Sequence, residues 1–187
     1  VVQKSDEKAM QNLSRFMADV FASRESLAGI LDNREERLAW IRDPELRTET
    51  AWGLTRELIS RDGVDRALPA ARELIDAGYA SGRYRVWAPR ADAVAKALLA
   101  EHQYSPAYGY LKTAVEGYEK EGMAEPLVRA LQTMSSIDQM LNRNEEANVL
   151  LQRAVDAAAH LGTDALPVRS RLMAAQGRLA RATGRIP

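Results

Sequence analysis

The sequence contains no cysteine, so disulfide frameworks and thiolate metal sites are excluded outright. Its redox compartment stays open, because a chain without cysteine survives in cytosol and periplasm alike. Aromatic residues are scarce. Two Phe, three Trp and six Tyr among 187 residues leave alanine and leucine to fill the interior. Neither charge sign prevails: Lys+Arg and Asp+Glu are both 26. A nucleic-acid partner is not expected, since phosphate-binding chains carry a basic excess. No apolar run approaches the length of a membrane span, which argues against membrane insertion. No signal peptide is visible, although a start at Val1-Val2 rather than Met makes that uninformative. Compartment therefore stays undetermined, cytoplasmic or periplasmic. The enzyme motifs are missing too: no phosphate loop, HExxH, GxSxG or dinucleotide glycine pattern occurs. Acidic residues are scattered as on a solvated surface. No catalytic residue, cofactor or metal ligand is expected, and the chain is not read as an enzyme.

What is present is helical periodicity with regular punctuation. No stretch sustains period-2 alternation, so strands are not expected. Residues 6–22 form a first helix candidate, with Met10, Leu13, Phe16, Met17 and Val20 at helical spacing. A short second one covers Ser26 to Leu31, and a third carries Leu38, Trp40 and Ile41 before Pro44. Residues 1–44 are read as an atypical leading unit. Glu45–Ser60 is then a helix, ended by the turn Arg61-Asp62-Gly63. The next runs to about Gly78 and must begin near Arg66 or bend at Pro69, since proline is harmless only in the first turn. Gly82–Pro89 reads as a longer connection. A helix over Ala88–Gln103 follows. Ser105 and Pro106 look like a cap and first helical residue, Pro126 opens the next helix, and Asn144 caps the one after. The last is bounded by Asp164 and Gly184.

Two segments 40 residues apart read alike. Ala107, Leu111 and Ala114 in one answer to Ala147, Leu151 and Ala154 in the other, and a further step back of 40 lands on Ala67. A fixed period in this range marks stacked repeats. The pattern resembles the tetratricopeptide repeat (TPR) family in a long form, about 40 residues per repeat. In that family the second helix of each pair carries small, bulky and small residues at these positions. Ala67/Ala71/Leu74 departs at the last two. The first helices carry a small residue where the pair touches, and Thr55, Ala95, Ser135 and Gly177 fall there.

The resemblance implies an all-α, right-handed α-solenoid of antiparallel helix pairs. Its repeats would cover about 45–84, 88–123 and 126–162, with a last helix in 164–187 of an incomplete repeat. It also implies a concave groove lined by the first helices that takes a peptide or a helix of another protein. Carried over, the groove residues are Trp52, Arg56, Asp92, Lys96, Arg129, Gln132, Ser136, Gln139, Arg178 and Arg181. The Lys/Asn clamp of chaperone-binding members is absent, because Trp52/Arg56 and Asp92/Lys96 stand where it would begin. A scaffold or adaptor is the expected function. The alternative is a sensory or regulatory module of a larger signalling or transcription-regulating protein.

Other features have plainer readings beside the functional ones. Arg83-Tyr84-Arg85-Val86-Trp87 would stack bases or tuck its rings over the core. Tyr104, Tyr108, Tyr110 and Tyr118 suit packing and a groove rim. His102 and His160 read as helix-end cations. Beyond Asp164 stand five arginines and no acid, which suits an acidic partner or a helix C-terminus. Leu172, Met173, Leu179 and Ile186 are expected to be uncovered there and to permit homo-oligomers.

Overall fold

The computed structural model describes residue 38, residues 41–161 and residues 166–183. The readings at 6–22 and 26–31, and most of the leading unit, lie outside the described residues. So do Gly184 and Ile186. Described residues contain no strand. The chain divides at Gly82/Arg83 into two compact units.

The first unit contains α1 (Pro44–Asp62) and α2 (Val64–Ser81), packed on each other. Asp43 caps α1, its carboxylate accepting the Glu45 amide at 2.9 Å, and Pro44 fills the first helical position. Ala51, Leu54 and Leu58 of α1 are buried, as are Ala67, Ala71 and Leu74 of α2. Thr48, Thr50 and Thr55 are buried as well. Each hydroxyl donates to the carbonyl one turn back, so no donor is stranded. Arg47 and Glu73 pair across the two helices.

The second unit contains α3 (Tyr84–Ala100), α4 (Tyr104–Lys120), α5 (Ala124–Met140), α6 (Asn144–Ala158) and α7 (Leu166–Ala182). A 3-10 turn over Ala159–Leu161 ends α6. The helices pack in chain order, α3 with α4, α5 with α6, and α7 on α6.

Within this frame the unit of construction is 20 residues, half of the sequence repeat. Helices begin at Tyr84, Tyr104, Ala124 and Asn144. His102, Gly122 and Asn142 occupy the left-handed region, at φ 59, 64 and 58°. Each closes its helix the same way. The amides of Gln103, Met123 and Arg143 donate to the carbonyls of Leu98, Tyr118 and Asp138 at 2.9, 2.9 and 2.8 Å. Those of His102, Gly122 and Asn142 donate to Leu99, Glu119 and Gln139. This pair of bonds is the Schellman turn, and it satisfies the last carbonyls of each helix. Glycine, asparagine and histidine are residues that enter this region at lower cost than most.

Burial follows the same count. Ala91, Leu111, Leu131 and Leu151 are buried, and so are Val94, Ala114, Met134 and Ala154. The small residues expected at helix crossings, Ala95, Ser135, Ala107 and Ala147, are fully buried. At one crossing the Ser135 hydroxyl donates to the Ala147 carbonyl at 3.0 Å, from one helix backbone to the other.

Three local expectations are corrected. Gly82–Pro89 is not a long connection: Gly82 closes α2 and α3 begins at Tyr84, with Pro89 inside it. Burial of Trp87, Ala88 and Ala91 on one face draws the segment into the helix. The second helix starts at Val64 rather than Arg66 and carries Pro69 in its interior. Ser105 and Asn144 lie inside their helices, after Gln103 and Arg143, and no side-chain cap forms there, because each Schellman turn hands the chain to the next helix earlier.

Candidate functional site

The residues expected to line a groove fall into three groups. Trp52 and Arg56 lie on α1 in the first unit, Trp52 half-buried and Arg56 exposed. Asp92, Lys96, Arg129, Gln132, Ser136 and Gln139 lie on α3 and α5. Arg178 and Arg181 are exposed on α7.

The middle group contains a charged neighbourhood. Asp92 pairs with Lys96 at 2.8 Å, one turn apart on α3. The hydroxyl of Tyr118, from α4, donates to the same carboxylate at 3.5 Å. Tyr118 is almost wholly enclosed, and burial raises its pKa most; the Asp92 carboxylate raises it further, by charge and by accepting the phenolic proton. The charge of Arg129 acts on that phenol in the opposite sense, which brings α5 into electrostatic reach of the α3 pair. Arg129 pairs with Glu125 at 2.9 Å and stays two-thirds exposed. Lys96 is equally open. Both cations therefore keep donors facing solvent. Gln132 and Ser136 are linked along α5, Ser136 donating to the Gln132 carbonyl at 3.0 Å. Gln139 turns inward by comparison, its amide donating to Ser135 at 3.2 Å.

A second polar cluster was not foreseen. Asp138 is fully buried at the end of α5. It pairs with Arg143 at 2.6 Å and accepts the Tyr108 hydroxyl at 3.1 Å. The Arg143 guanidinium also lies over the Tyr108 ring, 5.3 Å from its centre. Burial, then the Asp138 charge, raises the Tyr108 pKa. The 20-residue count holds the signal that would have found Asp138. Leu98, Tyr118, Asp138 and Ala158 occupy equivalent buried stations, and only one is charged.

The opposite flank of α5 borders a cavity of about 560 Å³. Leu127, Leu131 and Ala157 form its apolar floor. Glu119, Arg153, Asp156 and His160 form the rim, with Glu119 and Arg153 paired at 2.5 Å. None of the expected groove residues lines it.

The Arg/aromatic stretch has no free ring to offer. Trp87 is fully buried against Tyr84, with ring centres 5.5 Å apart. Lys120 covers Tyr84 from α4 and donates to its hydroxyl at 2.7 Å. Of the C-terminal apolar residues, Leu172 and Leu179 are buried, which corrects the expectation that they are uncovered; α7 packs through them on α6. Met173 is exposed. Among the described residues no cluster of His, Cys, Asp or Glu could hold a metal ion, and no helix is long and apolar enough to cross a membrane.

Solved structures with this arrangement exist. BtubC (BKLC) from P. vanneervenii superimposes with a TM-score of 0.56 at 14% identity, over 98% of this chain and 85% of that one. A kinesin light chain from P. anserina with nearly identical TPR-like repeats gives 0.56 at 17%, over 98% and 87%. The fold is TPR-like. In TPR-like terms α1, α3, α5 and α7 are first helices, and α2, α4 and α6 are second helices. No family model matches the sequence, and no curated protein matches it. Likeness at this level of identity concerns the fold alone.

Proposed function

We propose that the chain is a protein-interaction scaffold that binds a peptide or short helix of a partner along the exposed side of α3 and α5. The observation that carries this reading is the Asp92–Lys96–Tyr118–Arg129 neighbourhood. Two half-committed cations and one carboxylate converge on helices whose inner faces are already fixed by packing. A receptor held in this way loses little entropy on binding, and charge complementarity selects the partner. An acidic partner residue would be received by Lys96 and Arg129, and a donor by Asp92. Trp52 and Arg56 of α1 would extend the same recognition.

Affinity capture from the native host tests this, with the wild-type chain against Lys96→Glu/Arg129→Glu and, separately, Trp52→Ala/Arg56→Ala. Both charged residues are exposed, so folding is expected to survive. Partners recovered by the wild type should be lost from the charge-reversed variant. Equal recovery of the same partners by wild type and both variants would remove the groove reading.

A further inference from the structure

Helix α7 differs from its predecessors in one physical respect. Each of α1, α3 and α5 has a following helix packed against it. Among the described residues, α7 packs only on α6, through Leu172 and Leu179 and through an amide bond from Gln176 to Gln152 at 3.1 Å. Its opposite side presents Ser170, Ala174 and Gly177, with Leu166 and Met173 alongside. Those two apolar side chains are 61% and 59% exposed.

Gly177 sharpens this. Glycine inside a helix costs about 1 kcal/mol relative to alanine. At Gly117 a reason is visible: a methyl there would stand 2.5 Å from the Ala88 Cβ, so a neighbouring helix needs the space. At Gly177 a methyl would meet nothing within 4 Å. Gly109 is equally open, but it faces solvent with no exposed large apolar residue beside it. Gly177 lies one turn from Met173, in a shallow face shaped for a close helix.

Charge says what kind of helix. Arg169, Arg171, Arg178 and Arg181 stand on α7, and the helix has no acidic residue. A second copy of α7 in the same place would set arginines against arginines, so self-pairing of this face is disfavoured. Two large apolar side chains beside three small ones make a surface for close packing rather than one that inserts into lipid. We infer that the Leu166–Met173–Gly177 face of α7 is the docking site for an acidic amphipathic helix of a partner protein, its apolar stripe against Met173 and Gly177 and its carboxylates on Arg178 and Arg181.

The test uses the full chain and a fluorescein-labelled 18-residue helical peptide with leucines at i, i+4, i+7 and i+11 and glutamates on both flanks. A lysine-flanked twin is the control. Anisotropy should show saturable binding of the acidic peptide alone, weakening as salt rises. Gly177→Leu fills open space and favours the helix, so the variant should melt no lower than wild type yet bind at least tenfold more weakly. Arg178→Glu/Arg181→Glu should lose binding too. Lys96→Glu/Arg129→Glu should keep it, which separates this site from the groove on α3 and α5. Unchanged affinity in Gly177→Leu, equal binding of the lysine twin, or binding only to phosphatidylserine vesicles would overturn the proposal.

Discussion

The turns between helices rest on single residues. Gly122 holds a left-handed backbone with nothing within 4 Å of where a methyl would stand. Gly122→Ala therefore meets backbone strain alone and should cost about 1 kcal/mol. Asn142 occupies the equivalent place one helix later, so Gly122→Asn should cost only a few tenths of that. Thermal melts of the two variants check the order. Gly117→Ala is a different case, because its methyl would strike Ala88. Overpacking of this kind costs about 1–3 kcal/mol. Ala88→Gly in the same chain should restore part of the loss, and a double-mutant cycle reads the coupling.

Tyrosine ionisation gives a third prediction at this scale. Burial, and then the Asp92 carboxylate, raises the Tyr118 pKa in the folded chain above the ordinary value near 10. A raised folded pKa means that the neutral phenol stabilises the fold below about pH 10 and that this stability is lost as pH rises through the folded value. Tm should fall above pH 10. Tyr118→Phe, which cannot ionise, should show a shallower alkaline decline.

At the level of elements, pairs of helices are locked by small side chains and by a few buried polar links. Asp138 is the most exposed to disruption of these links. Its removal strands the Tyr108 hydroxyl, while Arg143, 45% exposed, can turn to water. Asp138→Ala should cost about 1–3 kcal/mol, read by urea denaturation. Asp138→Asn should bring the Tyr108 pKa down toward its ordinary value, read by ultraviolet titration. Helix pairing was legible in the sequence, because Ala107, Leu111 and Ala114 return at Ala147, Leu151 and Ala154 with backbone contacts that demand small residues. Helix starts were less so. Pro69 and Pro89 sit inside helices because Val64 and Trp87 are buried ahead of them, and tertiary burial outweighs the local proline signal. Ser105 and Asn144 have capping chemistry, but Schellman turns place the true starts at residues without it.

Over the whole chain, the repeat is read at 40 residues in the sequence and at 20 in the backbone. First and second helices share length, turn and buried stations, yet carry different side chains at their crossings, so only every second one looks alike in sequence. Exposed residues carry no such period. That is why the charged neighbourhood on α3 and α5 was legible only through the TPR resemblance, and why Tyr118 and Asp138 were missed. The binding readings rest on this frame, since it decides which side chains are left to face a partner. Backbone chemical shifts and residual dipolar couplings on the labelled chain test the frame most directly. Left-handed dihedrals should appear at Gly82, His102, Gly122 and Asn142, each twenty residues from the last, with unbroken helix between them. Helical dihedrals running through His102 or Asn142 would contradict the account.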